Sequence, residues 1–136
     1  MTDRMKWTLN RLPPSGDSCL SIMSLENAAK ARAFHRSFPQ YAATPLVRLD
    51  GMARWLGLGG LWVKDESFRF GLNAFKVLGG SFAIARHIAG ELGRDVSELT
   101  YEYLTSARFR EEFGQATFFT ATDGNHGRGV AWAASR

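Results

Sequence analysis

Twice between residues 61 and 134 the chain passes from a short apolar stretch through a turn into a helical pattern, and this rhythm constrains the fold more than any other feature. The first unit is Leu61-Trp62-Val63-Lys64-Asp65, a run ending in charge as strands do on leaving a sheet, followed by the loop ESFRFGLN (66–73) and a helical pattern from Asn73. The second is ATFFTAT (116–122), rich in β-formers, followed by Asp123-Gly124-Asn125-His126-Gly127 and a helix of small residues. Such units separated by helices imply an α/β fold, a parallel sheet covered by helices, because parallel strands need crossover connections and bury both faces.

The rest of the chain is read around these units. Ser24 is placed to cap a helix through LENAAKARAFHRSF (25–38), which Pro39 discourages from continuing. After Thr44-Pro45-Leu46, VRL (47–49) alternates as a short strand and DGMARWLGL (50–58) as a short helix before Gly59-Gly60. In the helix from Asn73, residues Phe75, Leu78, Phe82, Ile84 or Ala85, Ile88 and Leu92 gather on one face, and Gly93 supplies a stop. The interior pair Gly79-Gly80 costs about 1 kcal/mol per glycine, so a close approach to this helix is expected. A single further helix is predicted over VSELTYEYLTSARFREEF (96–113). The first 23 residues, with Pro13-Pro14 and Ser15-Gly16, read as an extension ordered by docking, so 1–40 is taken as extension and helix and 41–136 as the body.

Composition bounds the function classes. A chain of 136 residues, 45% hydrophobic and 22% charged, is one domain able to bury a core. The formal charge of +4 is scattered, with no run of like charge, which argues against a nucleic-acid partner. Cys19, the single cysteine, excludes an internal disulfide and any multi-cysteine metal site and fits a reducing compartment. No stretch approaches the roughly 20 apolar residues that span a bilayer, and the N-terminus has no signal-peptide core. A cytoplasmic protein without a membrane partner is expected.

In open parallel sheets, ligands bind beyond the carboxyl ends of strands, where helix N-termini offer unpaired N–H groups. Asn73-Ala74-Phe75-Lys76 and Asp123-Gly124-Asn125-His126-Gly127 both fall there. Taken bare, Lys76 reads as a solvated helix lysine. Among apolar neighbours at a helix N-terminus, however, desolvation and the helix dipole disfavour the ammonium and favour a neutral amine able to condense with an aldehyde. Gly124 and Gly127 read equally well as turn residues, Asn125 as a helix cap and Asp123 as a turn acid. His126 has no second ligand at a familiar offset, so no metal site is expected.

Four segments occur in order: TPL (44–46), LWVKDES (61–67), NAFKVLGG (73–80) and TDGNHGRGVAWAA (122–134). Together they resemble the landmarks of the fold type II pyridoxal-phosphate (PLP) enzymes, the class of tryptophan synthase β, threonine dehydratase and diaminopropionate ammonia-lyase. The resemblance implies the N-terminal part of that fold. It also implies that Lys76, preceded by Phe75, carries pyridoxal 5'-phosphate and moves protons, that Asn125 hydrogen-bonds the cofactor's 3-hydroxyl, and that Gly124 and His126 shape the turn. Asp123 points toward the diaminopropionate ammonia-lyases, because dehydratases usually carry a small residue there. In the resembled enzymes the lysine serves as base toward the L-substrate and the aspartate toward the D-substrate.

The implied reaction is elimination from D- or L-2,3-diaminopropionate to pyruvate and ammonia, with an amino-acid substrate and a homodimer in the full-length form. A threonine or serine dehydratase-like lyase would share Lys76 and Asn125 without needing Asp123. A noncatalytic fragment would retain these residues without a working site. The family's phosphate-binding loop and its partner to the pyridine nitrogen have no counterpart in the sequence. The chain alone is therefore expected to be weakly active and, with exposed strand edges and apolar surface, poorly soluble.

Overall fold

Ser24 opens the first helix as its position predicts. In this computed structural model, which describes residues 23–122 and 124–136, its side chain accepts from the Asn27 N–H at 3.2 Å and starts α1 (Leu25–Arg36). The extension before Met23, with Cys19, lies outside the described residues. α1 ends just before Pro39 and buries Phe34 and His35. His35 Nε2 lies 3.0 Å from the Leu78 carbonyl and 3.1 Å from Ser81 Oγ, tying α1 to the next long helix. Burial holds the His35 pKa below its ordinary value.

The sheet is smaller than expected, and its pairing runs the other way. Strand β1 (Leu46–Arg48) and strand β2 (Trp62–Lys64), connected through helix α2 (Asp50–Leu56), form one antiparallel pair, with Leu46 opposite Lys64 and Arg48 opposite Trp62. Alternation and β-propensity say nothing about the direction of pairing. Here Gly57 ends α2 in the left-handed region (φ 66), and the chain returns beside β1. The strand expected at 116–122 is extended but unpaired, and Phe119 is 93% exposed. A β-rich segment becomes a strand only against a neighbour, and none of the described residues supplies one. Among the described residues the chain is thus mostly helical, with this small antiparallel pair in place of the doubly covered parallel sheet. The expected exposed apolar surface is present, with Trp55 82% exposed and Leu46 65% exposed.

α3 (Lys76–Glu91) begins three residues later than predicted because Asn73 sits at φ 60, where a helix cannot pass. Its buried positions include Val77, Gly80, Ser81, Ala85 and Ile88, a smaller-residue stripe than the one expected from the large apolar residues. The reason is α6 (Asn125–Ala134), which packs against it at backbone distance. A Cβ on Gly129 would lie 2.8 Å from Val77 Cα, and one on Gly80 would lie 3.2 Å from Val130 Cγ2. The close approach expected at Gly79-Gly80 is real at Gly80, whereas a Cβ at Gly79 meets nothing within 4 Å. Val77 meets Gly129 and Gly80 meets Val130, so the contacts advance in the same direction along both helices.

These two environments give opposite expected results. Gly129→Ala is expected to destabilise the fold by about 1–3 kcal/mol, because the obstructing atoms are backbone. Gly79→Ala is expected to stabilise it by roughly 0.5–1 kcal/mol through helix propensity alone. Urea unfolding of the two variants checks this, and shifts of the same sign would contradict the packing.

The single helix predicted over 96–113 is three pieces: a 3₁₀ turn at Val96–Glu98, α4 (Tyr101–Leu104) and α5 (Ala107–Phe113). Each has its own cap, from Asp95, Thr100 and Ser106, whose side chains accept from the amides of Ser97, Tyr103 and Phe109. Short hydroxyl side chains inside an apolar period compete with the helix for its amides. Phe34, Phe38, Ala85, Ile88, Ala89, Val96 and Leu99 form the core, and Trp132 of α6 stacks on Phe38 with ring centroids 5.8 Å apart.

Candidate active site

Lys76 is the first residue of α3, and its side chain is exposed. Phe75, in the cap position, makes no side-chain capping bond and is 58% exposed. The desolvation expected around Lys76 is therefore not supplied by the described residues. Lys76 stands at a helix start whose first turn contains no acidic residue. The Lys76 side chain makes no hydrogen bond or ion pair among the described residues.

The second motif starts α6. Asn125 is not the cap but the first helical residue, exposed, with Gly124 in the cap position and no side-chain cap from it. Capping falls instead to Thr122, whose Oγ1 accepts from the amides of Gly124 at 3.3 Å and Gly127 at 3.1 Å. His126 is half-buried. Asp123 lies outside the described residues. A Cβ on Gly129 would also come within 3.3 Å of the Lys76 carbonyl carbon, so the second turn of α6 touches the peptide that follows Lys76. The Lys76 and Asn125 segments thus stand on two helices in direct contact.

The other two landmarks are joined to each other by a polar network. Glu66 takes both Arg69 Nε at 2.8 Å and Arg69 Nη2 at 2.9 Å. Thr44 Oγ1 donates to Glu66 Oε1 at 2.5 Å, Arg69 Nη1 donates to the Ala42 carbonyl at 3.0 Å, and Lys64 Nζ donates to the Thr44 carbonyl. The Arg69 guanidinium, chiefly, holds the Glu66 pKa down to about 2. Thr44 and Glu66 therefore fix the course of the chain around β1 and β2. Arg69 and Thr122 were not singled out from sequence, although Glu66 and Arg69 have the (i, i+3) spacing of an ion pair.

A half-open apolar cavity of about 270 Å³, lined by Phe34, Ile84, Ile88, Leu104, Phe109 and Phe113 among others, does not include Lys76 or Asn125. It is a gap in the packing between helices, distinct from the two motifs. No group of three or more His, Cys, Asp or Glu able to hold a metal ion occurs among the described residues. No helix among them is long and apolar enough to cross a membrane.

A family model described as "Pyridoxal-phosphate dependent enzyme" matches residues 38–136, which contain all four landmarks and both contacting helices. The chain belongs to this family. It is 46% identical over 119 residues to a diaminopropionate ammonia-lyase of Salmonella typhimurium, a match covering 88% of this chain and 30% of the relative. The apo crystal structure of diaminopropionate ammonia-lyase from Escherichia coli superposes with a TM-score of 0.73 at 49% identity, over 83% of this chain and 30% of that one. The same enzyme in complex with an aminoacrylate-PLP azomethine reaction intermediate gives a TM-score of 0.70 at 46% identity, over 83% and 27%. The chain thus spans less than a third of the length of these relatives.

The family cofactor is PLP. The residues of this PLP-family chain fit its aldehyde and ring end: Lys76 offers an exposed primary amine, and Asn125 an exposed amide on the helix packed against it.

Proposed function

We infer that this chain supplies the lysine-bearing part of a PLP-dependent ammonia-lyase that eliminates ammonia from both isomers of 2,3-diaminopropionate and yields pyruvate. The observation that carries this reading is the backbone contact between α3 and α6, which sets the exposed Lys76 amine and Asn125 on one support. The likeness to diaminopropionate ammonia-lyases supports the substrate. In this reading 1–40 is an extension and helix, 41–136 is the start of the catalytic domain, and the family-length protein is a cytoplasmic homodimer.

When bound, the cofactor supplies a ring that withdraws electrons from the substrate's Cα. Lys76 Nζ would hold the cofactor's aldehyde carbon and, once displaced there by the substrate's amino group, would be a free amine able to take the Cα proton of the L-isomer. Asp123 takes the corresponding proton from the opposite face of the D-isomer. Asn125 donates from its amide to the cofactor's 3-hydroxyl and fixes the ring's orientation, while Phe75, Gly124 and His126 shape the surface around it. Orientation of the breaking bonds is the protein's main contribution.

Incubating the chain with pyridoxal phosphate and borohydride, followed by intact mass and peptide mapping, tests the assignment. A stoichiometric adduct confined to Lys76 is expected, with the surface lysines as internal control, and labelling without preference for Lys76 would remove the reading. In a family-length protein carrying this segment, Asp123→Asn is expected to lose turnover of the D-isomer selectively. Unchanged turnover of both isomers would favour a dehydratase-like lyase instead.

A further inference from the structure

Helix α6 carries Asn125, yet it solves its capping problem without it. The first amides of a helix have no partner within it, and asparagine is among the residues that best satisfy them from the cap position. Here the cap position is Gly124, which has no side chain, and the first turn of α6 contains no acidic residue. Asn125 sits one place too late to cap, and its side chain makes no hydrogen bond among the described residues. The two amides flanking it in the turn, those of Gly124 and Gly127, both point to Thr122 Oγ1, at 3.3 and 3.1 Å.

The methyl group of Thr122 is used as well. A Cβ on Gly127 would fall 2.3 Å from Thr122 Cγ2, so the threonine lies against the open face of that glycine. One side chain therefore grips the turn by its hydroxyl and by its methyl.

We propose that Thr122 is a positioning residue: its hydroxyl closes the start of α6 so that the Asn125 amide is released from capping and presented to the cofactor. The proposal rests on the functional reading above for the ligand that Asn125 meets, but the capping half stands on the geometry of the chain alone. Thr122 acts through Asn125 and is not itself a catalytic residue. Its exposure means that neither removing the hydroxyl nor removing the methyl leaves a core cavity.

Two variants separate the two grips: Thr122→Val keeps the methyl and loses the hydroxyl, and Thr122→Ser does the reverse. In the whole chain, hydrogen exchange resolved to peptides covering 124–128 is expected to quicken about fivefold in T122V, the factor that one ordinary hydrogen bond confers, and to stay near wild type in T122S. With pyridoxal phosphate bound, T122V is expected to shift the cofactor's visible absorbance band and T122S to restore it. Unchanged exchange in T122V overturns the cap whatever the cofactor does. Faster exchange with an unmoved absorbance band overturns the positioning role and leaves Thr122 purely structural. A wild-type chain that forms no Lys76 adduct defeats the functional reading, and with it the presentation of Asn125 to the cofactor, while the exchange experiment still decides the cap.

Discussion

Lys76→Ala is expected to abolish the borohydride-trapped adduct on this chain and, in a family-length protein carrying the segment, to lower ammonia release by at least roughly 10²–10⁴-fold, the usual worth of a positioned proton-transfer group. In the proposed reading two functions leave together, attachment of the aldehyde and movement of the Cα proton, so the loss should appear in kcat as well as in cofactor retention. Lys76→Arg should do no better, because a guanidinium keeps its charge and cannot act as a free amine. The result cannot be blamed on unfolding. Lys76 is exposed and unpaired among the described residues, so stability should move by no more than about 0.5 kcal/mol. Pyruvate release followed in parallel with a thermal melt makes the comparison. Turnover above about a tenth of wild type would take the reacting amine away from Lys76.

The largest expected loss of stability lies elsewhere, at Glu66. Arg69 is only 7% exposed and its guanidinium is held by Glu66, Thr44 and the Ala42 carbonyl. Glu66→Ala leaves that buried charge without its counter-ion, which costs about 3–5 kcal/mol and, for a domain of this size, a fall in Tm of roughly 10 °C or more. The same pair gives a pH signature. Glu66 has a folded-state pKa near 2, below the ordinary value of 4.5. In the window between those values the unfolded chain binds the proton and the folded chain does not. The stabilisation is complete above the unfolded value and is lost as pH falls from about 4.5 toward 2. Urea titrations across that window should show a steep decline in wild type and a flatter one in Glu66→Gln, and parallel curves would detach the network from the acid limb.

Much of the helical framework was legible because its signals are local. Ser24 and Pro39 bracket α1, and Gly93, at φ 63, follows α3 where a stop was expected. Strand positions at β1 and β2 were legible too, but not their direction, since pairing is a relation between segments and the period of one carries no information about the other. The β-rich run at 116–122 failed for the same reason. The long helix at 96–113 failed through chemistry that was in view: Thr100 and Ser106 lie inside that span and act as caps.

At the candidate site, the positions of Lys76 and Asn125 at helix starts were legible, and the burial of Lys76 was not found. Whether a lysine is surrounded depends on segments remote in sequence. Thr122 escaped notice because its partners lie two and five residues on, across a turn whose geometry no periodicity encodes. Two of the four landmarks, those holding Thr44 and Glu66, turned out to mark a structural joint.

The contact of Gly129 with Val77 also decides what can vary at the amine. A lysine is a long tether with many rotamers, but the tether here springs from an anchorage that the neighbouring helix will not let slide. The volume its nitrogen can sweep is fixed at the base and free only at the tip. In the proposed reading, adjustment to ligands of different length would come from rotation about the side-chain bonds of Lys76 before any shift of α3 against Gly129.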